Sequence, residues 1–114
     1  MAEVTDNEIN RLVAERVMGW VYEPGDPTFG RDWITHDGDR SRLRDWCTDP
    51  AAWAGLLVWL KEQGNKPQLI YDGHDWWASL FARDGWARKR IDADSPGRAL
   101  ALAALRAYGV EVEK

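Results

Sequence analysis

The sequence predicts one domain of the α+β class, in which a small antiparallel sheet packs against helices. Three observations support this class. Apolar residues recur at helical spacing in three segments, and an Asp-Gly pair between two segments of strand periodicity marks a hairpin. The 114 residues suffice for a single core. We therefore expect the order helix, irregular region, helix, three strands, helix.

The helices are predicted from apolar spacing and from the residues at their ends. Thr5 followed three residues later by Glu8 is a capping box, and Ser95-Pro96-Gly97 is a typical helix start. The second helix is apolar around its whole circumference, which indicates cover on two sides or a contact between two copies of the chain. The helices are expected over about residues 6–18, 50–63 and 96–108.

The strands are predicted after the second helix. Asp84-Gly85 favours a two-residue type I′ turn between the second and third strands. Residues 23–47 are rich in turn residues and are predicted to be a long loop, in which Arg31–Thr35 or Arg44–Thr48 could form a short edge strand. The strands are expected over about residues 67–72, 75–83 and 86–92.

Three blocks of sequence carry a resemblance to a known family. They are Leu12–Trp20, Thr48–Trp53 and Ser95–Leu105, in this order around the predicted hairpin. Together they resemble the phage ABA sandwich domain, a family of small bacteriophage proteins whose role is poorly defined. The resemblance implies a phage or prophage origin and an α/β/α sandwich with helices on both faces of the sheet. It implies no catalytic residues.

One face of the predicted hairpin alternates aromatic and basic residues. The two-residue turn places Trp77 opposite Asp92 and puts alternate residues on the same face. Indole rings stack on nucleobases at about 1–3 kcal/mol each, and guanidinium groups pair with phosphates. The predicted ligand-binding residues on this face are Trp77, Phe81, Arg83, Trp86, Arg88 and Arg90. The same pattern also fits a solvated face on which arginine stems cover the aromatic rings.

The other face of the hairpin and the start of the third helix complete the prediction. The opposite face is largely apolar and should meet a helix layer. Arg98 is added to the ligand-binding residues, because it lies in the first turn of the third helix, where unpaired backbone N–H groups favour an anion.

Charge and cysteine content exclude several classes of protein. The net charge of −4, from 19 acidic and 15 basic residues, fits neither a general nucleic-acid binder nor a DNA mimic. The single cysteine, Cys47, excludes an internal disulfide and a cysteine-rich metal site. The longest apolar run, residues 51–60, is about half of the ~20 residues that cross a membrane, and the N-terminus lacks the features of a signal peptide. We expect a protein of the host cytoplasm that does not bind membranes.

Two turns place a histidine beside carboxylates. They are His36-Asp-Gly-Asp39 and Asp72-Gly-His-Asp75, and together they could hold a divalent metal ion for hydrolysis. Their spacing matches no metal motif, and these residue pairs are common in turns. We therefore predict no catalytic residue, metal site or cofactor.

The function expected from these features is that of a non-enzymatic phage protein that counters host defence. It would sequester a nucleotide signalling molecule on the aromatic and basic face of the hairpin. Direct binding to a host defence protein through the same tryptophans is the first alternative, and a small metal-dependent phosphodiesterase is the second. The apolar second helix and the eight tryptophans favour a homodimer.

Overall fold

The computed structural model describes residues 4–24, 30–81, 90–110 and 112. The described residues form two antiparallel three-stranded sheets, with strand orders β1-β2-β3 and β4-β5-β6. The helices are α1 (Asp6–Leu12), continued by a π-helical turn (Val13–Val17), α2 (Pro50–Glu62) and α3 (Pro96–Ala107). The strands are β1 (Val21–Tyr22), β2 (Trp33–Ile34), β3 (Arg40–Ser41), β4 (Lys66–Tyr71), β5 (Trp76–Phe81) and β6 (Ile91–Ala93). The predicted α+β class is confirmed.

Side-chain caps set where the helices begin. The Glu8 N–H donates to Thr5 Oγ1 at 3.2 Å, and the Arg98 N–H donates to Ser95 Oγ at 3.4 Å. At α2, the Ala51 N–H donates to Asp49 Oδ1 at 3.1 Å. Each cap satisfies an N–H group that has no partner inside its helix. The helix starts predicted from the sequence are therefore the observed ones.

The first helix was predicted to be α-helical to residue 18, but the observed α-helix ends at Leu12. Its last turn widens, because the Met18 N–H donates to the Val13 carbonyl at 2.9 Å, five residues back. The segment ends at Gly19, whose φ of +73° lies in the left-handed region that glycine adopts without strain. Trp20 follows this reversal and is buried in the core.

The region predicted to be a long loop contains part of the first sheet. Its strands are only two residues long, with Val21 opposite Ile34 and Trp33 opposite Ser41. Trp33–Ile34 is the central strand of this sheet rather than an edge strand. Strands this short carry too few residues for periodicity to reveal them. Trp46, in the second candidate segment, is buried in a turn instead.

The core is built around α3. All residues of Ala99–Leu105 are buried. One side of the helix contacts β4, β5 and β6, and other sides contact α1, the π-helical turn and α2. A helix that is apolar all round must be covered all round, and its many alanines let neighbours approach closely. The predicted cover on two sides belongs to α3 and not to α2, where Val58 is 54% exposed.

The second sheet buries one face against the helices. Ala78 and Leu80 of β5 are fully buried on the face that contacts α3, which is the face predicted to meet a helix layer. Lys66, Gln68 and Ile70 of β4 point to the opposite face and are exposed. Helices α2 and α3 contact each other as well as β4, so both lie on the same side. The resemblance to the sandwich family implies helices on both faces of the sheet. Among the described helices only α2 and α3 contact the second sheet, and both lie on one face. The polar residues Lys66 and Gln68 leave little apolar surface on the other face for a helix to bury.

Candidate functional site

The exposed face of the second sheet is the predicted ligand-binding surface, and we call its described residues the outer face. The predicted pairing of Trp77 with Asp92 is confirmed. Trp77 also lies opposite Ile70 on β4, and Ser79 lies opposite Gln68. Because paired residues in antiparallel strands project to the same side, these side chains share one surface. The described outer face comprises Lys66, Gln68, Ile70, Trp77, Ser79, Arg90 and Asp92, of which Ser79 is buried.

A cluster of three side chains occupies the middle of the outer face. The Arg90 guanidinium lies 5.1 Å from the centre of the Trp77 ring, within cation–π range. Its Nη2 atom is 3.2 Å from Asp92 Oδ1, an oxygen that is itself buried and has no aligned hydrogen bond to any described residue. The Arg90 side chain nevertheless remains 53% exposed. Asp92 thus orients the guanidinium and partly neutralises it, while leaving N–H groups open to a further acceptor.

The surroundings of this cluster are both apolar and polar. Ile70 is 40% exposed beside Trp77 across the strand pair. Gln68, one position further along this face, offers an amide that can donate and accept hydrogen bonds. This combination of a ring, a cation and an amide can bind a planar ligand that carries an anionic group. It also has the residue types that recur in protein–protein contacts.

The structure describes only part of the predicted binding set. Trp77 and Arg90 are brought together on the outer face, as predicted. Phe81 is the last residue of β5, and its backbone pairs with Lys66. Arg83, Trp86 and Arg88, together with the Asp84-Gly85 turn, lie outside the described residues. Their place on the outer face stays a prediction.

Arg98 does not belong to the outer face, and its inclusion in the binding set is corrected. Its Nη1 donates to Asp6 Oδ1 at 2.5 Å, and its Nη2 donates to the Val4 carbonyl at 2.9 Å. The side chain is only 16% exposed, on a helix that packs against the other face of the sheet. The sequence showed an arginine at a helix start, but it did not show that the distant Asp6 carboxylate accepts a hydrogen bond from this arginine.

The loops that contain His36 and His74 are organised by local hydrogen bonds. Asp72 Oδ1 accepts the N–H groups of His74 at 3.0 Å and Asp75 at 2.9 Å. The bond from Asp75, followed by that from His74, lowers the pKa of Asp72. His36 Nε2 lies 3.4 Å from its neighbour Asp37. Among the residues that the structure describes, no three His, Cys, Asp or Glu side chains are placed to hold a metal ion.

A concave surface elsewhere on the molecule was not predicted from the sequence. It is a groove of about 470 Å³ along α2, which we call the tryptophan groove. Trp20 and Trp46 form part of its floor, with ring centres 5.4 Å apart, and Trp59 lines it from α2. Trp20 Nε1 is buried without a hydrogen-bond partner among the described residues. The only sequence signal for this groove was the apolar surplus of the second helix.

None of the described helices is long and apolar enough to cross a lipid bilayer.

Comparison with known proteins establishes the fold but not a family. No protein-family model matches the chain, and no curated protein matches it in sequence. A crystal structure of a phage protein from Bacillus cereus ATCC 14579 has a similar fold, with a TM-score of 0.72 and 17% sequence identity. The alignment covers 99% of this chain and 95% of the other. At this identity the likeness concerns the fold, and the assignment to the phage ABA sandwich family stays a prediction from the sequence blocks.

Proposed function

We propose that the chain is a non-enzymatic, phage-encoded binding protein that counters host defence by capturing a nucleotide signalling molecule on the outer face. It acts in the host cytoplasm. The observation that carries this proposal is the Trp77–Arg90 pair, in which a half-buried Trp77 ring lies 5.1 Å from the guanidinium of an Arg90 side chain that is 53% exposed. The fold shared with a phage protein motivates the setting.

The chemistry of capture follows from how the three side chains of the cluster are arranged. A nucleobase can displace the guanidinium from the face of Trp77 and stack there in its place. The released Arg90 then turns its N–H groups to a phosphate, while Asp92 continues to hold it from the other side. Gln68 can hydrogen bond to a base edge. The arrangement suits a ligand with at least one base and one phosphate close together.

Calorimetric titration with a panel of cyclic dinucleotides, cyclic trinucleotides and nicotinamide-derived nucleotides tests this proposal. We expect saturable heat with one class of nucleotide, and a roughly five- to hundredfold weaker affinity for Trp77→Ala and Arg90→Ala, since each removes about 1–3 kcal/mol of contact. Arg16→Ala is the matched control, because it removes the same charge from an exposed position on the π-helical turn. The proposal fails if no nucleotide binds, or if Arg90→Ala and Arg16→Ala behave alike.

Direct binding to a host defence protein is the second candidate function. It is favoured by Ile70, which is 40% exposed beside Trp77 and would anchor an apolar contact. Tagged protein would then retain a host protein from infected cells, and the retained protein would be lost with Ile70→Asp but not with the exposed control Arg16→Ala. Nucleotide binding without a retained host protein would exclude this candidate.

Catalysis is not part of the proposal. Incubation of the protein with cyclic nucleotides and Mn²⁺ or Mg²⁺ should return the nucleotides intact. Cleavage that is abolished by His74→Ala or His36→Ala would instead establish the phosphodiesterase alternative.

A further inference from the structure

We propose that two copies of this chain pair through the tryptophan groove, with their α2 helices antiparallel about a two-fold axis near Ala54 and Gly55. This interface is separate from the outer face, so it does not depend on the proposed ligand. Three observations support it: an exposed apolar stripe on α2, a glycine that the described part of the chain does not require, and opposite charges at the two ends of the groove.

The stripe lies along the side of α2 that faces away from the core. The helix buries Ala52, Leu56 and Leu60, whereas Val58 on another side is 54% exposed. Ala51, Ala54 and Gly55 are also exposed. These residues recur every three or four positions and so form one continuous line on the helix surface. Small residues flanking a projecting valine form a shallow surface that a second helix can approach closely.

Nothing in the described part of the chain requires glycine at position 55. Gly55 sits in the interior of α2, where glycine weakens a helix relative to alanine. A Cβ atom added at this position would meet nothing within 4 Å, and its φ is not positive. Neither turn geometry nor packing within the described residues therefore requires glycine here. A close approach by a second backbone from outside the chain would explain it.

The groove has a positive end and a negative end. The Asp49 N–H donates to the Asp45 carbonyl at 3.0 Å, which holds Arg44 next to the first turn of α2. Glu62 is the last residue of the same helix. Both side chains are exposed, both line the groove, and neither forms an ion pair with any residue in the described part of the chain. One copy therefore presents two unpaired charges of opposite sign, separated by the length of α2.

A two-fold axis matches these features to one another. In an antiparallel pair centred between Ala54 and Gly55, Val58 of one copy lies over Ala51 of the other. The Glu62 end of each helix then lies beside the Arg44 end of its partner, so that the dimer contains two pairs of opposite charges. A surface that is complementary to itself in this way is the requirement for an isologous interface. The charges of the groove therefore indicate that its partner is a second copy of this chain.

Sedimentation velocity over a range of protein concentrations tests the pairing by charge reversal. We expect a reversible monomer–dimer equilibrium for the unaltered chain. Arg44→Glu and Glu62→Arg should each raise the dimer dissociation constant about tenfold, because two attractive contacts per dimer become repulsive. The double variant Arg44→Glu with Glu62→Arg should restore dimerisation. Arg16→Glu is the control for an equal charge change away from the groove and should leave the equilibrium unchanged.

A second variant probes the helix crossing without altering charge. Gly55→Leu places a large side chain where the two helices meet, and it should abolish dimerisation while the circular dichroism of the monomer is retained. The proposal is overturned if the unaltered chain is a monomer throughout the range, in which case the groove holds another occupant. It is also overturned if dimers persist in Gly55→Leu, or if the double variant fails to recover what each charge reversal lost.

Discussion

The Arg98 guanidinium donates to the Asp6 carboxylate at 2.5 Å and so joins the start of α3 to the start of α1. The two residues are 92 positions apart in the sequence. A second bond from the same guanidinium to the Val4 carbonyl, at 2.9 Å, extends the link to the segment before α1. The first described residues of the chain are thus held against the central helix by one side chain.

Removal of this link should destabilise the fold. We expect Arg98→Ala to lower the free energy of unfolding by roughly 1–3 kcal/mol, because two hydrogen bonds from a largely buried charged group are lost. Arg106→Ala, on the exposed end of the same helix, should change it by less than about 0.5 kcal/mol. Urea unfolding followed by tryptophan fluorescence measures both. Equal midpoints for the two variants would show that the link contributes nothing.

Gly97 and Gly55 provide a matched pair of glycine substitutions. A Cβ atom at Gly97 would collide with the Trp46 carbonyl oxygen and lie 2.5 Å from that of Cys47, and both are backbone atoms that cannot move aside easily. Gly97→Ala should therefore cost roughly 1–3 kcal/mol or more. Gly55→Ala, studied at protein concentrations that favour the monomer, should add up to about 1 kcal/mol of stability through helix propensity. Thermal unfolding of both variants checks the opposite signs, and a stabilised Gly97→Ala would contradict the close packing of α3 on this segment.

Cys47 should titrate only at strongly alkaline pH. Burial, with a smaller contribution from the nearby Asp6 carboxylate, raises the pKa of Cys47 to about 12. The folded state thus favours the neutral thiol, and this contribution to stability is complete below the pKa of the unfolded chain, near 9. It is lost as the pH rises from there through 12. Cys47→Ala should show a shallower loss of stability over this alkaline range.

Thiol reactivity gives an independent check on the same residue. A thiol reagent at pH 8 should modify Cys47 at the rate of unfolding and not faster, because the thiolate is scarce and the side chain is buried. Immediate modification of the native protein would show that the side chain is accessible.

Asp45 should make the fold sensitive to acid. The Thr48 hydroxyl, together with Asn10 Nδ2 at 3.1 Å and backbone N–H groups, lowers the pKa of Asp45 despite some desolvation. The folded state favours the carboxylate, so this stabilisation is present above the pKa of the unfolded residue, about 3.9, and is lost as the pH falls through the lower folded value. Thr48→Val should reduce the loss of stability in this acid range. Chemical unfolding in a pH series from neutral to strongly acidic conditions measures the difference, and parallel curves for both proteins would exclude the effect.

Local signals in the sequence were sufficient for most elements of the fold. Thr5 and Ser95 cap the helices that they were predicted to begin, because a cap depends on residues within one turn. The pairing of Trp77 with Asp92 was predictable because strand registry propagates from a short turn along the ribbon. The first sheet escaped prediction because its two-residue strands contain no period to detect.

The candidate site was only partly predictable for a related reason. Alternation along the hairpin placed Trp77, Arg90 and Asp92 on one face, but it did not indicate that the Asp92 carboxylate would contact the Arg90 guanidinium. Arg98 was assigned to a ligand because its partner, Asp6, is distant in sequence and meets it only after α1 packs on α3. The tryptophan groove was missed because its walls come from three separate segments, around Trp20, Trp46 and α2.

The sequence by itself therefore determined the order of the helices and the second sheet, the capped starts of the helices, and which residues of β5 face inward. These depend on steric and hydrogen-bonding preferences that act over a few residues. Tertiary structure alone decided that α3 rather than α2 is enclosed on every side, that Arg98 is bound to Asp6, and that a groove runs along α2. Each of these depends on contacts between segments that are far apart in the chain, and such contacts exist only once the whole core is closely packed.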